Sequence, residues 1–172
     1  GLGNFRLEFT SITLKEVSSE PEHTHSFVNG KCECGETNGF AGFGIWNEGS
    51  LTPVVREDTE NSMIITSENA SGDWWKVKVE NNFATEADKT YEAVYTFTSD
   101  AEGDIKFGGD NMTCQTPDVY HVVAGDNTFS VTFTVSASNA YNCLELGGLG
   151  NFRLEFTSIT LKEVSSEPEH TH

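Results

Sequence analysis

Cations are scarce in this chain. Its 10 Lys and Arg stand against 27 Asp and Glu, a formal net charge of −17. Nucleic-acid binding needs a basic surface that releases counterions from phosphate, so the balance argues against that partner class and against anionic membrane surfaces. Apolar runs long enough to span a bilayer are absent, so no membrane insertion is expected. No Ser/His/Asp set, nucleotide loop or isolated carboxylate pair can be picked out, and among 27 acidic residues a close pair carries no meaning. The chain therefore reads as non-enzymatic. It opens at Gly1 rather than Met, as expected of a processed chain or a window from a longer protein. The acidic excess itself suits a dispersed, secreted protein better than a specific cation-binding role.

What the chain does have is repetition. Gly1–His25, GLGNFRLEFTSITLKEVSSEPEHTH, returns letter for letter as Gly148–His172, so residues 1–147 hold all the unique sequence. That is one ordinary domain with enough Phe, Trp and Tyr for a real core. The identity has three explanations: a window from a tandem array of repeats, strand exchange that links subunits into a fibre, or an engineered duplication. Array membership ranks first, and makes neighbouring identical repeats or subunits expected partners.

Residues 17–39 begin as a polar, acidic, Pro-containing linker. Beyond Phe40 the texture changes to short alternating runs broken by Gly, Asn and Asp: WWKVKV (74–79), YEAVYTFT (91–98), DIKFGG (104–109), TFSVTFTV (128–135), CLELGG (143–148) and FRLEFTSITLKEV (152–164). These runs are rich in Val, Phe, Tyr and Thr, with no helical segment among them, and predict an all-β sandwich. The expected organisation is a copy of the closing strand over 1–16, a linker over 17–39, a sandwich module over 40–164 and the start of the next linker over 165–172.

Alternation assigns faces. Trp75, Val77 and Val79 are expected inward, with Trp74, Lys76 and Lys78 outward. Tyr91, Ala93, Tyr95 and Phe97 form a core set, as do Phe129, Val131, Phe133 and Val135. Leu144 and Leu146 point in, Cys143 and Glu145 out. A pyranose offers apolar C–H faces that stack on rings and hydroxyls that need polar partners. On that chemistry Trp74 is the expected platform, with Lys76, Lys78, Glu92, Thr96, Thr132 and Glu145 as polar contacts. Trp46 and Tyr141 are secondary candidates at the rim.

The segment HTHSFVNGKCECG gathers a second chemistry. His23, His25, Cys32 and Cys34 form H-x-H-x6-C-x-C with Asn29-Gly30 as a turn between the pairs. Imidazole and thiolate suit Zn²⁺ in a closed, structural tetrahedral site. The alternatives are disulfides to Cys114 or Cys143, or free thiols, and four cysteines permit three pairings among which sequence does not choose. If Cys32 and Cys34 hold a metal, Cys114 and Cys143 are the natural disulfide pair.

The order DWWKVKV, then ADKTYEAVYTFTSDAEGDIKF, then TFSVTFTVSASNAYNCLELGGLGNFRLEFTSITLKEV resembles the family 4/9 carbohydrate-binding modules over residues 40–164. The resemblance implies a galactose-binding-like jelly roll of two antiparallel sheets, of the kind appended to secreted polysaccharide-degrading enzymes. It implies a polysaccharide or glycan as partner and a secreted or cell-surface location. Where the family often carries paired aspartates that hold a structural calcium, this chain has Thr157 and Ser158 with Glu155 nearby, which puts that calcium in doubt. Lys76 and Lys78, in place of uncharged polar groups, would suit an acidic glycan. The competing expectation is a structural repeat of a stalk, adhesin or fibre that keeps the sandwich and binds no sugar.

Overall fold

The computed structural model describes residues 25–48, 54–68, 73–116 and 118–164. Its strands are β1 (Phe27–Val28), β2 (Lys31–Cys32), β3 (Phe43–Asn47), β4 (Val54–Asp58), β5 (Met63–Ser67), β6 (Val77–Asn81), β7 (Thr90–Ser99), β8 (Gly103–Gly109), β9 (Met112–Thr116), β10 (Val119–Val122), β11 (Gly125–Val135), β12 (Asn142–Glu145) and β13 (Phe152–Glu163). Single 3₁₀ turns cover Trp74–Lys76 and Gly147–Leu149. The strands pair antiparallel in two sheets, ordered β2-β1-β4-β5-β13-β7-β11-β9 and β10-β8-β12-β6-β3. The expected all-β jelly-roll sandwich is what the chain forms.

The period-two pattern is the cause. In β7 each odd position from Tyr91 to Ser99 is buried and each even one is half-exposed. β11 alternates likewise, burying Phe129, Val131, Phe133 and Val135. The two sheets meet through rings: Tyr95 on β7 lies 6.4 Å from Phe107 on β8, and Phe107 lies 4.9 Å from Phe133. Such pairs add to burial by about 0.5–1.5 kcal/mol each. One polar node sits among them. Asn81 Nδ2 donates to the Tyr95 hydroxyl at 2.9 Å and to Asn142 Oδ1, so these bonds join β6, β7 and β12. Burial pushes the Tyr95 hydroxyl well above its ordinary range, which keeps it protonated.

The closing strand β13 is central, paired with β5 on one side and β7 on the other. A register shift between Phe156 and Ser158 marks a bulge there; Thr157 donates to the Thr96 carbonyl at 3.4 Å and Glu155 pairs with Arg153 at 3.3 Å. The matching stretches 1–16 and 165–172 lie outside the described residues.

Part of the expected linker over 17–39 is instead a hairpin of the larger sheet. Asn29 and Gly30 take positive φ of 50° and 73° between β1 and β2, the geometry a two-residue hairpin turn requires. Phe27 pairs with Asp58, so this hairpin lies along the free edge of β4. A Cβ on Gly30 would stand 2.4 Å from the Ala41 nitrogen, so only glycine lets the turn come this close. Beneath it Arg56 grips Asp58 at 2.9–3.1 Å and donates to the carbonyls of Phe43 and Phe40 at 2.6 and 3.1 Å. Asp58 also accepts from the Gly30 amide at 3.1 Å. Among the described residues no helix is long and apolar enough to cross a membrane.

Candidate functional site

The outward face of the five-stranded sheet carries a continuous row. Trp46 on β3 pairs with Lys78 on β6, Lys78 with Glu145 on β12, Glu145 with Lys106 on β8, and Lys106 with Val119 on β10. The adjacent row runs Gly44, Glu80, Cys143, Gly108, and its two glycines leave a furrow beside the charged side chains. At one end the Trp46 and Trp75 rings lie 6.1 Å apart at 37°, with 36% and 44% of each residue exposed. Lys78 Nζ stands 5.0 Å over Trp46 and 5.8 Å from the Tyr141 ring. The Tyr141 hydroxyl donates to Glu80 at 2.9 Å.

Two cavities flank the row. One of about 370 Å³ is lined by Asn81, Asn82, Phe83, Asn139 and Tyr141; the other, about 450 Å³, by Lys106, Gly108, Cys114, Asp118 and Glu145. Beneath Tyr141 the Cys143 thiol is almost fully buried, and burial pushes it up to about 11. Burial likewise raises the Tyr141 hydroxyl, so both stay neutral at physiological pH and the phenol remains a hydrogen-bond donor. The face thus combines aromatic platforms with fixed donors and acceptors of both charges.

The structure brings together Trp46, Lys78, Tyr141 and Glu145 from the sequence-predicted set. Lys76 stands at the margin, bridging Asp73 at 2.8 Å and Glu48 at 3.7 Å, with its Nζ 5.8 Å from Trp75. Glu92, Thr96 and Thr132 lie on the outward face of the other sheet, across the sandwich. There Glu92 pairs with Lys162 at 3.0 Å and accepts from Ser130 at 3.3 Å, which accounts for its lowered pKa, chiefly through Lys162.

The expected phase of the Trp pair is corrected. Residues 74–76 form a 3₁₀ turn and the strand begins at Val77, so the alternation does not run back to the tryptophans. Trp75 is the exposed ring, while Trp74 is half-buried against the Gly147–Leu149 turn. A signal for this lay in the spacing Asp73…Lys76, which pairs side chains one turn apart. Reasoning from sequence also missed Glu80, Lys106 and Phe83, since outward polar residues in many strands look alike until strand order is known.

The expected Cys114–Cys143 disulfide is also corrected: both are free. Cys114 pairs with Phe133 and packs toward the core from the eight-stranded sheet, whereas Cys143 points away from it on the five-stranded one. The two thiols stand on strands of different sheets, β9 and β12.

The metal-type group is present at His25, Cys32 and Cys34, whose ligand atoms all lie within 4.8 Å of one another. These three can hold a metal ion; His23 lies outside the described residues. His25 Nδ1 is 3.3 Å from Cys34 Sγ, and His25 Nε2 is 3.3 Å from Glu36 Oε2. The Cys34 amide donates to Cys32 Sγ at 3.4 Å. Hydrogen bonding from Cys34, then from His25, lowers the Cys32 thiol to about 7, and contact with Cys32 and the Glu36 charge raise His25.

No family model matches the chain, and no curated protein does. Solved structures do. One, described as "CBM4 structure and function", superposes with a TM-score of 0.55 at 18% identity, over 71% of this chain and 86% of that one. A second, "BiXyn10A CBM1 APO", gives 0.52 at 16% identity over 69% and 87%. A third is a putative sugar binding protein from Bacteroides thetaiotaomicron VPI-5482, at 0.50 and 10% identity over 71% and 87%. The fold is that of the carbohydrate-binding-module jelly rolls.

Proposed function

We propose that this chain is a non-catalytic module that binds polysaccharide on the outward face of its five-stranded sheet. The observation that carries the reading is the pair of adjacent, exposed rings of Trp46 and Trp75 at the head of a row of fixed polar groups. Exposed Trp side by side has no use in the core, and it matches the apolar face of a pyranose. Lys78, Glu145, Lys106 and the Tyr141–Glu80 pair would meet the hydroxyls and, in an acidic glycan, the carboxylates. The names of the similar structures, which include carbohydrate-binding modules and a sugar binding protein, support the same reading.

A module of this kind acts outside the cell, secreted or surface-bound, and the identity of Gly1–His25 with Gly148–His172 favours a tandem array in which weak sites gain avidity. The same identity favours a second reading: a structural repeat of a stalk, adhesin or fibre. The group at His25, Cys32 and Cys34 lies on the other sheet's edge, away from the glycan face. Its soft donors favour Zn²⁺ in a structural role, with His23 as the fourth donor the sequence supplies. The deciding experiment is affinity electrophoresis of the intact chain through neutral and uronic polysaccharides beside Trp46→Ala and Trp75→Ala. Retardation lost in both variants supports the glycan module; no retardation in any gel supports the structural repeat.

A further inference from the structure

Resting on the Zn²⁺ reading of that group, and independent of the glycan face, we infer that the ion staples the β1–β2 hairpin upon itself in the shape that docks on β4. In this arrangement His25, Cys32 and Cys34 are ligands and Glu36 is the residue that positions the His25 ring.

Among the described residues the hairpin has few other anchors. Its strands are two residues each, and one Cα pair, Phe27 with Asp58, joins it to β4. Isolated two-stranded hairpins are marginal in water even when longer. The other anchors are the Gly30 amide on Asp58 and Asn38 Nδ2 on the Thr59 carbonyl at 2.7 Å. A single buried side chain, Phe27, supplies the apolar contact.

Against that thin docking stands a nearly assembled donor set. Donors of a tetrahedral Zn²⁺ site lie roughly 3.5–4 Å apart, given Zn–S near 2.3 Å and Zn–N near 2.1 Å. The three donors here already fall within 4.8 Å. The backbone has the folded turn such ligands need: Cys32 N donates to the Glu36 carbonyl at 2.8 Å and Gly35 N to the Cys32 carbonyl at 2.9 Å. The His25 ring stacks on Phe27 at 5.8 Å and 25°, so it is held from the side as well as from its edge.

Glu36 completes the arrangement. A ligating histidine ordinarily donates its other ring N–H to a carboxylate, which fixes the tautomer and raises ligand basicity. Here Nδ1 faces the sulfur and Nε2 faces Glu36, the disposition that leaves the Nδ1 lone pair for the metal. On binding, the Cys32 and Cys34 thiols each release a proton to solvent and become thiolates, and no electron is transferred. The ion then cross-links residue 25 to residues 32 and 34 and fixes the hairpin in the form whose Phe27 and Gly30 meet Asp58 at the edge of β4. That edge would otherwise offer unpaired backbone groups to another chain.

The test uses the full chain, stripped with a chelator and reloaded with Zn²⁺ or Co²⁺ alone. The expected results are one ion bound at this group, tetrahedral Co²⁺ bands with thiolate charge transfer that vanish in Cys34→Ser, and slowed amide exchange over residues 27–32 when zinc is added. Glu36→Gln should weaken zinc about 10–100-fold, a loss that a merely exposed surface glutamate would not produce. No cobalt–thiolate bands, or a metal-free chain isolated with Cys32 and Cys34 oxidised to a disulfide, would overturn the zinc reading itself. Zinc bound with unchanged exchange in the hairpin would overturn the stapling alone. Unchanged affinity in Glu36→Gln would remove Glu36 from its role.

Discussion

Trp46 and Trp75 meet ring to ring at 6.1 Å although one belongs to a strand and the other to a turn. Trp46 projects from β3 by ordinary alternation. Trp75 reaches the same place because the 3₁₀ turn, held by the Lys76 amide on the Asp73 carbonyl at 3.1 Å, rotates it out before β6 begins. A lysine ammonium stands over each ring, Lys78 at 5.0 Å from the centre of Trp46 and Lys76 at 5.8 Å from that of Trp75.

The first prediction separates the three tryptophans. Trp46→Ala and Trp75→Ala should each lower polysaccharide affinity about tenfold, the loss of roughly 1.4 kcal/mol of stacking and burial. Their denaturation midpoints should stay close to the parent's, since both rings are well exposed. Trp74→Ala should do the reverse, costing stability through its packing on the Gly147–Leu149 turn and leaving affinity largely intact. Isothermal calorimetry beside urea denaturation tests all three.

Period two makes the cores of β7 and β11 legible, because Tyr91 to Phe97 and Phe129 to Val135 bury an apolar side chain at every other position. It told which side of a strand was wet, but not which sheet the strand joined. Lys78 and Glu92 both read as outward and lie on opposite faces of the sandwich for that reason. Cys114 and Cys143 failed as a pair on the same ground. Alternation carried back past the strand start at Val77 puts Trp75 on the wrong side. The hairpin at 27–32 reads as linker because two-residue strands are too short to show a period; its Asn-Gly turn and its His and Cys side chains are legible all the same.

A second prediction concerns Asp58. Its carboxylate is buried between the Arg56 guanidinium and the Gly30 amide. Asp58→Ala strands a buried guanidinium and frees the hairpin turn, so it should cost about 3–5 kcal/mol. Equilibrium urea unfolding measures the loss, and exchange at Gly30 should accelerate with it.

A third addresses the polar node of the core. Tyr95→Phe removes an acceptor from Asn81 Nδ2 but leaves that group its bond to Asn142. The loss should therefore be modest, about 1 kcal/mol, with the urea midpoint lowered and the slope unchanged. Asn142→Leu strips Asn81 of its other partner and should cost more than Tyr95→Phe.

Cys143 gives stability a pH dependence of definite sign. Burial beneath Tyr141 is the main cause of its raised pKa; Tyr141 and Lys78 oppose the rise, while Glu145 and Glu80 add to it. The unfolded thiol titrates near 9.0 and the folded one at about 11. Between those values the unfolded chain has given up a proton that the folded chain keeps, so unfolding releases a proton and stability falls as pH rises. Below pH 9 the contribution is fully present; it declines through the folded value, by roughly 2–3 kcal/mol in all. Lysines titrate in the same window, so the measurement is the difference between the parent and Cys143→Ala across pH 8–12 in urea denaturation. The variant should start lower, having lost a buried side chain, and descend less steeply. Parallel curves would mean that the thiol is solvated and that the floor of the five-stranded sheet's outward face is open to water.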